Sequence, residues 1–171
     1  MTTITVTGAE CTGKTTLARA LSRHYGYPWV PEAARLFVER EGRGVRRGDV
    51  EAIAALHLDL VGRVKESPVV FLDTDLFSTV SYARHYFGSC PRSVLTEARR
   101  RASDLYLVAG ADLPWVRVSD QRGTEEGREA VQRRLDRLIR ASGRARADIH
   151  GDGPDRLVAA IRAVDGFLAV R

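Results

Sequence analysis

Cysteine is scarce in this chain of 171 residues, which contains only Cys11 and Cys90. The two lie far apart, and neither belongs to a CxxC pair or to a Cys/His cluster. A disulfide framework and a structural zinc site are therefore not expected. The favoured interpretation of Cys11 is a backbone role in the loop described below, and a redox role for its thiol is the alternative.

The sequence also lacks an apolar run long enough to span a bilayer, and it shows no charged-then-apolar leader. We therefore expect a cytoplasmic protein with no membrane partner. A chain of this length can bury a core without disulfides or metal, so we expect residues 1–171 to form a single domain.

Lysine is nearly absent, although the sequence has 27 basic residues and a net charge of +5. Only Lys14 and Lys65 are lysines, and the arginines are dispersed along the chain rather than gathered in one tract. Dispersed charge is more typical of a solvated surface than of a nucleic-acid footprint, which stays the alternative. The feature that needs an explanation is Lys14.

Lys14 lies in a segment that reads Gly-Ala-Glu-Cys-Thr-Gly-Lys-Thr-Thr and fits the pattern G-x-x-x-x-G-K-[ST]. The segment follows the apolar run Ile4–Val6 and precedes a helical pattern. In that context backbone N–H groups and a helix N-terminus can surround one anion. The predicted nucleotide-binding residues are Gly8, Ala9, Glu10, Cys11, Thr12, Gly13, Lys14, Thr15 and Thr16.

The residue types in this loop have specific chemical uses. Gly8 and Gly13 permit backbone angles that let consecutive N–H groups point into one concavity. Lys14 can reach the outer phosphates of a nucleotide as a mobile charge, and we predict that it is catalytic. The Thr15 hydroxyl is placed to ligate Mg²⁺, so the expected cofactors are ATP and Mg²⁺.

Short apolar runs alternate with helical patterns along the chain, which indicates an α/β fold with about five parallel strands and crossover helices. The predicted strands are Ile4–Val6, Trp29–Val30, Val69–Leu72, Leu105–Val108 and Ala145–Ile149. The predicted helices are Thr15–Tyr25, Ala33–Glu41, Asp49 to about Lys65, Asp75 to about Phe87, Pro91–Ala102 and Arg128–Ala141.

Ligands of such sheets bind beyond the carboxyl ends of the strands, so polar residues at those ends are candidates. Asp73 ends an apolar strand and is predicted to be catalytic and to hold Mg²⁺ directly or through water. Asp75 is predicted to bind a substrate hydroxyl or accept its proton, and the alternative is a helix N-cap. Glu32 and Arg35 lie one helical turn apart. Glu32 could act as a base and Arg35 could neutralise the transferred phosphate. The alternative is that the two form an ordinary surface salt bridge.

The glycine- and proline-containing stretch 109–127 is predicted to be a lid loop that closes over the nucleotide. Transfer to water must be suppressed in a kinase, and the transferred group needs a cation at closure. Arg122 is the candidate, and a merely solvated arginine is the alternative. Trp115 in the same stretch could stack on an aromatic base or be a buried structural residue.

Taken together, these residues resemble the ribosylnicotinamide kinase domain of bacterial NadR-type proteins and related AAA-like small P-loop ATPases. The resemblance spans most of the chain and rests on an ordered set of segments. They are the loop Gly8 to Thr15, Val30-Pro31-Glu32-Ala33-Ala34-Arg35, Leu72-Asp73-Thr74-Asp75, and Asp104-Leu105-Tyr106-Leu107 leading to Pro114-Trp115-Val116 and Asp120-Gln121-Arg122.

The resemblance implies a three-layer P-loop fold of the nucleoside-kinase type and ATP-dependent phosphorylation of the 5′-hydroxyl of nicotinamide riboside. It leaves Glu32, Asp73 and Asp75 competing for the roles of base and ribose ligand, and it places Arg122 in the lid. The family usually has an aromatic residue where this chain has Ala33, so the acceptor pocket is expected to differ. The alternatives are a polynucleotide 5′-kinase and a nucleotide-dependent switch without a small-molecule acceptor.

Overall fold

Short apolar segments form five strands that run parallel in one sheet. The computed structural model describes residues 1–110, 112 and 125–170. In chain order the strands are β1 (Thr2–Thr7), β2 (Trp29–Val30), β3 (Val69–Asp73), β4 (Leu105–Ala109) and β5 (Ala145–Ile149). The prediction of an α/β fold with about five parallel strands is confirmed.

Seven α-helices lie within the described residues, and a short 3₁₀ turn at Arg47–Asp49 precedes the third. They are α1 (Lys14–Tyr25), α2 (Ala33–Glu41), α3 (Val50–Gly62), α4 (Leu76–Phe87), α5 (Arg92–Arg100), α6 (Glu125–Ala141) and α7 (Gly153–Ala169). The last of them is absent from the sequence prediction. None of the helices in this part of the chain combines the length and the apolar character that crossing a bilayer requires.

The sheet is covered on both faces, which gives three layers. Its strand order is β2-β3-β1-β4-β5, so β1 is central. On one face Ile4, Phe71 and Leu107 pack against α1 and α7. On the other face Tyr106 and Val108 pack against the helices between β2 and β5, chiefly α4, α5 and α6. Because alternate residues of β4 point to opposite faces, an uninterrupted apolar strand is what this double burial requires.

The register of the sheet brings the ends of β1 and β3 together. Val6 pairs with Asp73, so the loop after β1 begins beside the last residue of β3. Val30 of β2 pairs with Leu72, which places the chain entering α2 on the other side of Asp73. The carboxyl edge of three neighbouring strands therefore carries the loop, the Asp73 carboxylate and the Glu32 segment.

Candidate active site

The loop between β1 and α1 depends on two glycines with positive φ. Gly8 has φ 144°, and a Cβ there would lie 2.7 Å from the carbonyl oxygen of Ala109 in the neighbouring strand β4. Gly13 has φ 74° and is the N-cap of α1. A side chain at Gly8 would lack space, and both positions have a backbone conformation that favours glycine. The chain can therefore turn sharply from the strand into the helix.

Lys14 bonds to its own loop. Its Nζ donates to the carbonyl oxygen of Ala9 at 2.7 Å, and the buried Thr12 donates to the same oxygen through Oγ1 at 2.9 Å. The ammonium group is therefore held inside the loop by one flexible contact, while Thr12 also satisfies the carbonyl. Lys14 can exchange that carbonyl for a phosphate oxygen without leaving a buried acceptor unpaired.

Thr15 and Asp73 meet at the start of α1. The Thr15 hydroxyl donates to Oδ2 of Asp73 at 2.6 Å, and Asp73 is 1 % exposed. The other oxygen, Oδ1, is buried and has no hydrogen-bond partner among the described residues. Thr74 follows with φ 69°, a strained conformation for a β-branched residue, and its N–H donates to Val6. This turn separates the direction of Asp73 from that of Asp75.

The Thr15 and Asp73 pair fits Mg²⁺ chemically. A hydroxyl oxygen and a carboxylate with a spare buried oxygen are hard ligands, and Mg²⁺ in phosphate sites is held by one or two protein oxygens together with phosphates and water. Within the described ranges no cluster of three or more His, Cys, Asp or Glu side chains is suited to a metal ion. The donor set therefore fits an ion carried by a nucleotide rather than one caged by the protein.

Glu32 is the N-cap residue of α2, yet its side chain makes no capping hydrogen bond. Its Oε2 lies 3.6 Å from Nη2 of Arg35, and its side chain is only 21 % exposed. Burial raises the pKa of Glu32, and the negative charge of Asp73 adds to this, while the charges of Lys14 and Arg35 oppose it. The charges of Lys14, Arg35 and Asp73 therefore act on Glu32, and the side chain of Arg35 lies close to it.

Asp75 is turned away from this group. Its Oδ1 accepts from the N–H of Phe77 at 3.0 Å and of Ser78 at 3.4 Å, which caps α4, and its Oδ2 accepts from the Tyr106 hydroxyl at 2.7 Å. Complete burial raises the pKa of Asp75 to about 6, against the effect of these hydrogen bonds. Both carboxylate oxygens of Asp75 therefore bond within the protein. This arrangement agrees with the N-cap alternative and not with a contact to substrate.

A pair of tyrosines adjoins the loop on the α4 side. Tyr82 and Tyr86 stack with ring centroids 6.2 Å apart and planes at 12°, and the Tyr86 hydroxyl donates to Oε1 of Glu10 at 3.2 Å. Burial raises the pKa of Tyr82, and the charges of Glu10 and Glu32 raise it further. We name Glu10, Tyr82 and Tyr86 the tyrosine patch. Sequence reasoning missed it because both tyrosines occur in an ordinary amphipathic helix pattern.

Two further side chains that support the loop were also missed. Gln132 in α6 accepts from the Ala9 N–H through Oε1 at 2.7 Å. Arg156 in the unpredicted helix α7 donates to the carbonyl oxygen of Thr12. A signal for α7 was present, since Asp152-Gly153-Pro154 is a typical helix start and apolar residues recur at helical spacing to Val164. Nothing local marks Gln132.

The predicted lid falls largely outside the described residues, and Trp115 and Arg122 are among those outside. Its two ends need correction, because Ala109 is the last residue of β4 and Glu125–Gly127 are the first residues of α6. α6 therefore begins earlier than its apolar pattern suggests. Of the interior of the stretch, the structure describes Gly110 and Asp112.

Comparison with solved structures supports the resemblance drawn from the sequence. A NadR protein in complex with NAD and AMP-PNP superposes with a TM-score of 0.76 at 27 % identity, covering 99 % of this chain and 50 % of that chain. A NadR protein in complex with NR gives a TM-score of 0.77 at 26 % identity, with the same coverage. The chain therefore spans half the length of these NadR chains. A search of curated proteins finds no match.

A nucleoside kinase of M. mycoides shows how widely the fold is shared. Its deoxyadenosine kinase, solved with products dCMP and dCDP, has a TM-score of 0.69 at 10 % identity and covers 96 % of this chain and 99 % of its own. At that identity the likeness shows the fold alone. A family model described as an AAA domain matches residues 3–156, from the start of β1 into α7. The chain therefore belongs to this AAA domain family of P-loop proteins.

Proposed function

We propose that this chain is a kinase that transfers the γ-phosphoryl group of Mg-ATP to the 5′-hydroxyl of a nucleoside, with nicotinamide riboside as acceptor and nicotinamide mononucleotide as product. The observation that carries the proposal is the Thr15 to Asp73 hydrogen bond of 2.6 Å beside Lys14, with Glu32 at the next strand end. A donor site and a carboxylate base thus share one edge of the sheet. The NadR structures with AMP-PNP and with NR support both halves.

On the donor side, the amides of residues 8–16 bind the phosphates, and Lys14 leaves the Ala9 carbonyl to contact the outer ones. Thr15 and Asp73 would hold the Mg²⁺ that accompanies ATP, with the spare Asp73 Oδ1 available to it or to its water. When bound, such an ion would supply positive charge that offsets the charge of the phosphates. Arg122, in the predicted lid, is proposed to add a cation as the site closes.

On the acceptor side, Glu32 accepts the proton of the attacking hydroxyl. As the proton moves to the carboxylate, the hydroxyl oxygen bonds to the γ-phosphorus and the bond to the β,γ-bridging oxygen breaks, so that ADP leaves. Arg35 lies 3.6 Å from Glu32, where it can neutralise charge on the transferred group. Asp75 takes no part in these steps in our proposal, because its oxygens hold α4 and Tyr106.

The charges around the acceptor side favour a cationic acceptor. The negative charges of Asp73 and Glu10 raise the pKa of the buried Glu32 carboxyl, while the positive charges of Lys14 and Arg35 oppose them. Carboxylates beside a triphosphate are unfavourable unless a cation separates them. The ring of nicotinamide riboside carries a positive charge, and aromatic faces attract cations. The tyrosine patch therefore suits that ring, and Trp115 stays a second proposed stacking residue.

The test is to incubate the protein with labelled ATP and a panel of acceptors. The panel contains nicotinamide riboside, uncharged nucleosides and 5′-hydroxyl oligonucleotides, with Lys14→Ala as the inactive control. We expect label in nicotinamide mononucleotide, at a rate that salt hardly changes. Labelled oligonucleotide with steep salt dependence would identify a polynucleotide kinase instead. Tight ATP binding with no labelled acceptor would overturn the kinase proposal and favour the nucleotide-dependent switch.

A further inference from the structure

Arg156 is a buried cation in a position that is electrostatically unfavourable in itself. It is 4 % exposed and lies in the first turns of α7, near the positive end of the helix dipole. A buried charge in such a place persists only when its hydrogen-bonding capacity is used. The acceptors that it contacts therefore indicate its role.

Arg156 joins three loops at the carboxyl edge of the sheet. Nη1 donates to the carbonyl oxygen of Thr12 in the nucleotide-binding loop. Nε donates to Gly151 at 2.7 Å, after β5, and Nη2 donates to Gly110 at 3.4 Å, after β4. Nη2 also pairs with Asp112, whose other oxygen accepts from the Gly151 N–H at 2.7 Å. A planar guanidinium with several fixed donors suits such a junction, and an ammonium does not.

The bond to Thr12 fixes the plane of one peptide in the loop. In a trans peptide the C=O and the following N–H point in opposite directions, and the described chain contains no cis peptide. With the Thr12 carbonyl held toward α7, the Gly13 N–H points to the opposite side of the loop. Gly13 has φ 74° and, as a glycine, tolerates the flipped plane as well. The loop sequence alone therefore does not hold this orientation.

We propose that Arg156 is a positioning residue of the nucleotide-binding loop, which keeps the Thr12–Gly13 peptide in the orientation that presents its N–H to phosphate. Asp112 acts through Arg156, by fixing the guanidinium and balancing its charge. Arg156 itself need not touch the nucleotide. The inference rests on the proposed function only in taking ATP as the ligand, and it makes no use of the acceptor.

Direct nucleotide titration tests the proposal. Dissociation constants for Mg-ADP and Mg-AMP-PNP are measured for Arg156→Met, for Arg156→Lys and for Arg162→Met, which removes an exposed arginine from the same helix. We expect about tenfold weaker binding in Arg156→Met, equivalent to about 1.4 kcal/mol. The loss should be equal for both nucleotides, because the loop holds phosphates common to them. Arg156→Lys should be intermediate and Arg162→Met unchanged.

A purely structural role would give a different result. It would lower the free energy of unfolding of Arg156→Met while the folded fraction bound nucleotide within twofold of the parent, and that outcome would overturn the proposal. If Arg156→Met does not fold, Arg156→Lys and Asp112→Asn provide the test. Folded forms of these two variants that bind nucleotide with unchanged affinity would also overturn the proposal. In the double variant, Asp112→Asn should add nothing to Arg156→Met.

Steady-state kinetics give a second readout, in which the KM for ATP and the KM for the acceptor are measured separately. The KM for ATP should rise in Arg156→Lys while the KM for the acceptor stays constant. If no acceptor is ever phosphorylated, the proposed kinase function fails, but the nucleotide titrations still decide the role of Arg156.

Discussion

The proposed donor and acceptor sides of this site are built in different ways. On the donor side, side chains bond to the loop itself: Lys14 and Thr12 to the Ala9 carbonyl, Thr15 to Asp73, and Arg156 to Thr12. On the acceptor side, Glu32 and Arg35 are 3.6 Å apart, the Arg35 side chain is 53 % exposed, and Tyr86 is 41 % exposed. The donor side is thus held by internal hydrogen bonds, whereas side chains on the acceptor side are exposed to solvent.

This difference matches what each half has to bind. Phosphates present the same oxygens in every nucleotide, so a loop fixed in advance loses little entropy on binding them. An acceptor is recognised by its ring and charge, which requires side chains from separate elements. We therefore expect substitutions on the donor side to reduce catalysis with every acceptor, and substitutions on the acceptor side to change the choice among acceptors.

The largest effect is expected from Lys14→Ala. Loss of the only mobile cation of the loop should reduce kcat/KM by about 10³-fold, which is the upper range for one preorganised group that stabilises transition-state charge. The loss should be the same for every acceptor that the parent uses. Lys65→Ala is the matched control, because Lys65 is the other lysine and its side chain is 71 % exposed. A Lys14→Ala protein with more than a tenth of parental activity would contradict the donor assignment.

The next largest effect concerns Asp75 and the pH dependence of stability. Its pKa is about 6 in the folded protein and near 3.8 when exposed, so the folded state binds more protons between these values. The contribution of Asp75 to the free energy of unfolding should therefore fall as pH rises from 4 to 6. Relative to the parent, Asp75→Asn should gain roughly 3 kcal/mol over that interval, since about two pKa units correspond to that energy.

Denaturant unfolding at several pH values measures this difference. Asp49 supplies a control of opposite sign, because its hydrogen bond to Arg43 lowers its pKa to about 2. The contribution of Asp49 is present above its unfolded pKa and is lost as pH falls toward 2. Asp75→Asn should also leave the KM for the acceptor unchanged. A several-fold increase in the KM for the acceptor would instead show that Asp75 contributes to acceptor binding.

Glu32→Gln should have a smaller effect than Lys14→Ala and a different pattern. Loss of a general base reduces kcat by about 100-fold, while ATP affinity should stay within twofold. Burial raises the pKa of Glu32, so the base becomes protonated at a higher pH than an exposed glutamate would. As pH decreases, the activity of the parent should therefore begin to fall at a pH above the usual pKa of glutamate. That limb of the profile should be absent from Glu32→Gln. Glu39→Gln on the exposed side of α2 is the control, and an unchanged acid limb in Glu32→Gln would exclude Glu32 as the base.

The residues of the proposed donor side could be predicted from the sequence because the pattern that marks them is local. Gly8 and Gly13 are marked by backbone requirements, Lys14 and Thr15 by their places in the same contiguous pattern, and Asp73 by the apolar strand that it ends. The three-layer fold could also be predicted, because strands buried on both faces have continuous apolar runs. These features need no knowledge of how distant segments pack.

The remaining parts of the site depend on such packing. Arg156 reaches Thr12 from the far end of the chain, and nothing in its own segment specifies that contact. For Asp75 the sequence left two roles open, and Tyr106 of β4 was needed to show where its second oxygen lies. The tyrosine patch likewise requires α4 to lie beside the loop. Sequence patterns report periodicity and local geometry, not which side chains meet across elements.

The smallest effect is expected from Tyr86→Phe, and it is the sharpest test of the acceptor side. This change keeps the ring and removes the hydroxyl that donates to Glu10 at 3.2 Å. The KM for nicotinamide riboside should rise about twofold to tenfold, because a typical hydrogen bond contributes about 0.5–1.5 kcal/mol. Tyr86→Leu removes the ring as well and should cost more.

The uncharged dihydro form of the same riboside provides the matched comparison for both variants. If the ring and the Glu10 carboxylate recognise positive charge, the parent should prefer the cationic riboside, and Tyr86→Leu should reduce that preference. The KM for ATP should not change, because the donor side binds phosphate through its own backbone. Equal loss for the charged and uncharged acceptors would mean that Tyr86 recognises shape alone. In that case the negative charge at Glu10 and Glu32 would have to serve Mg²⁺ and the proton rather than the choice of acceptor.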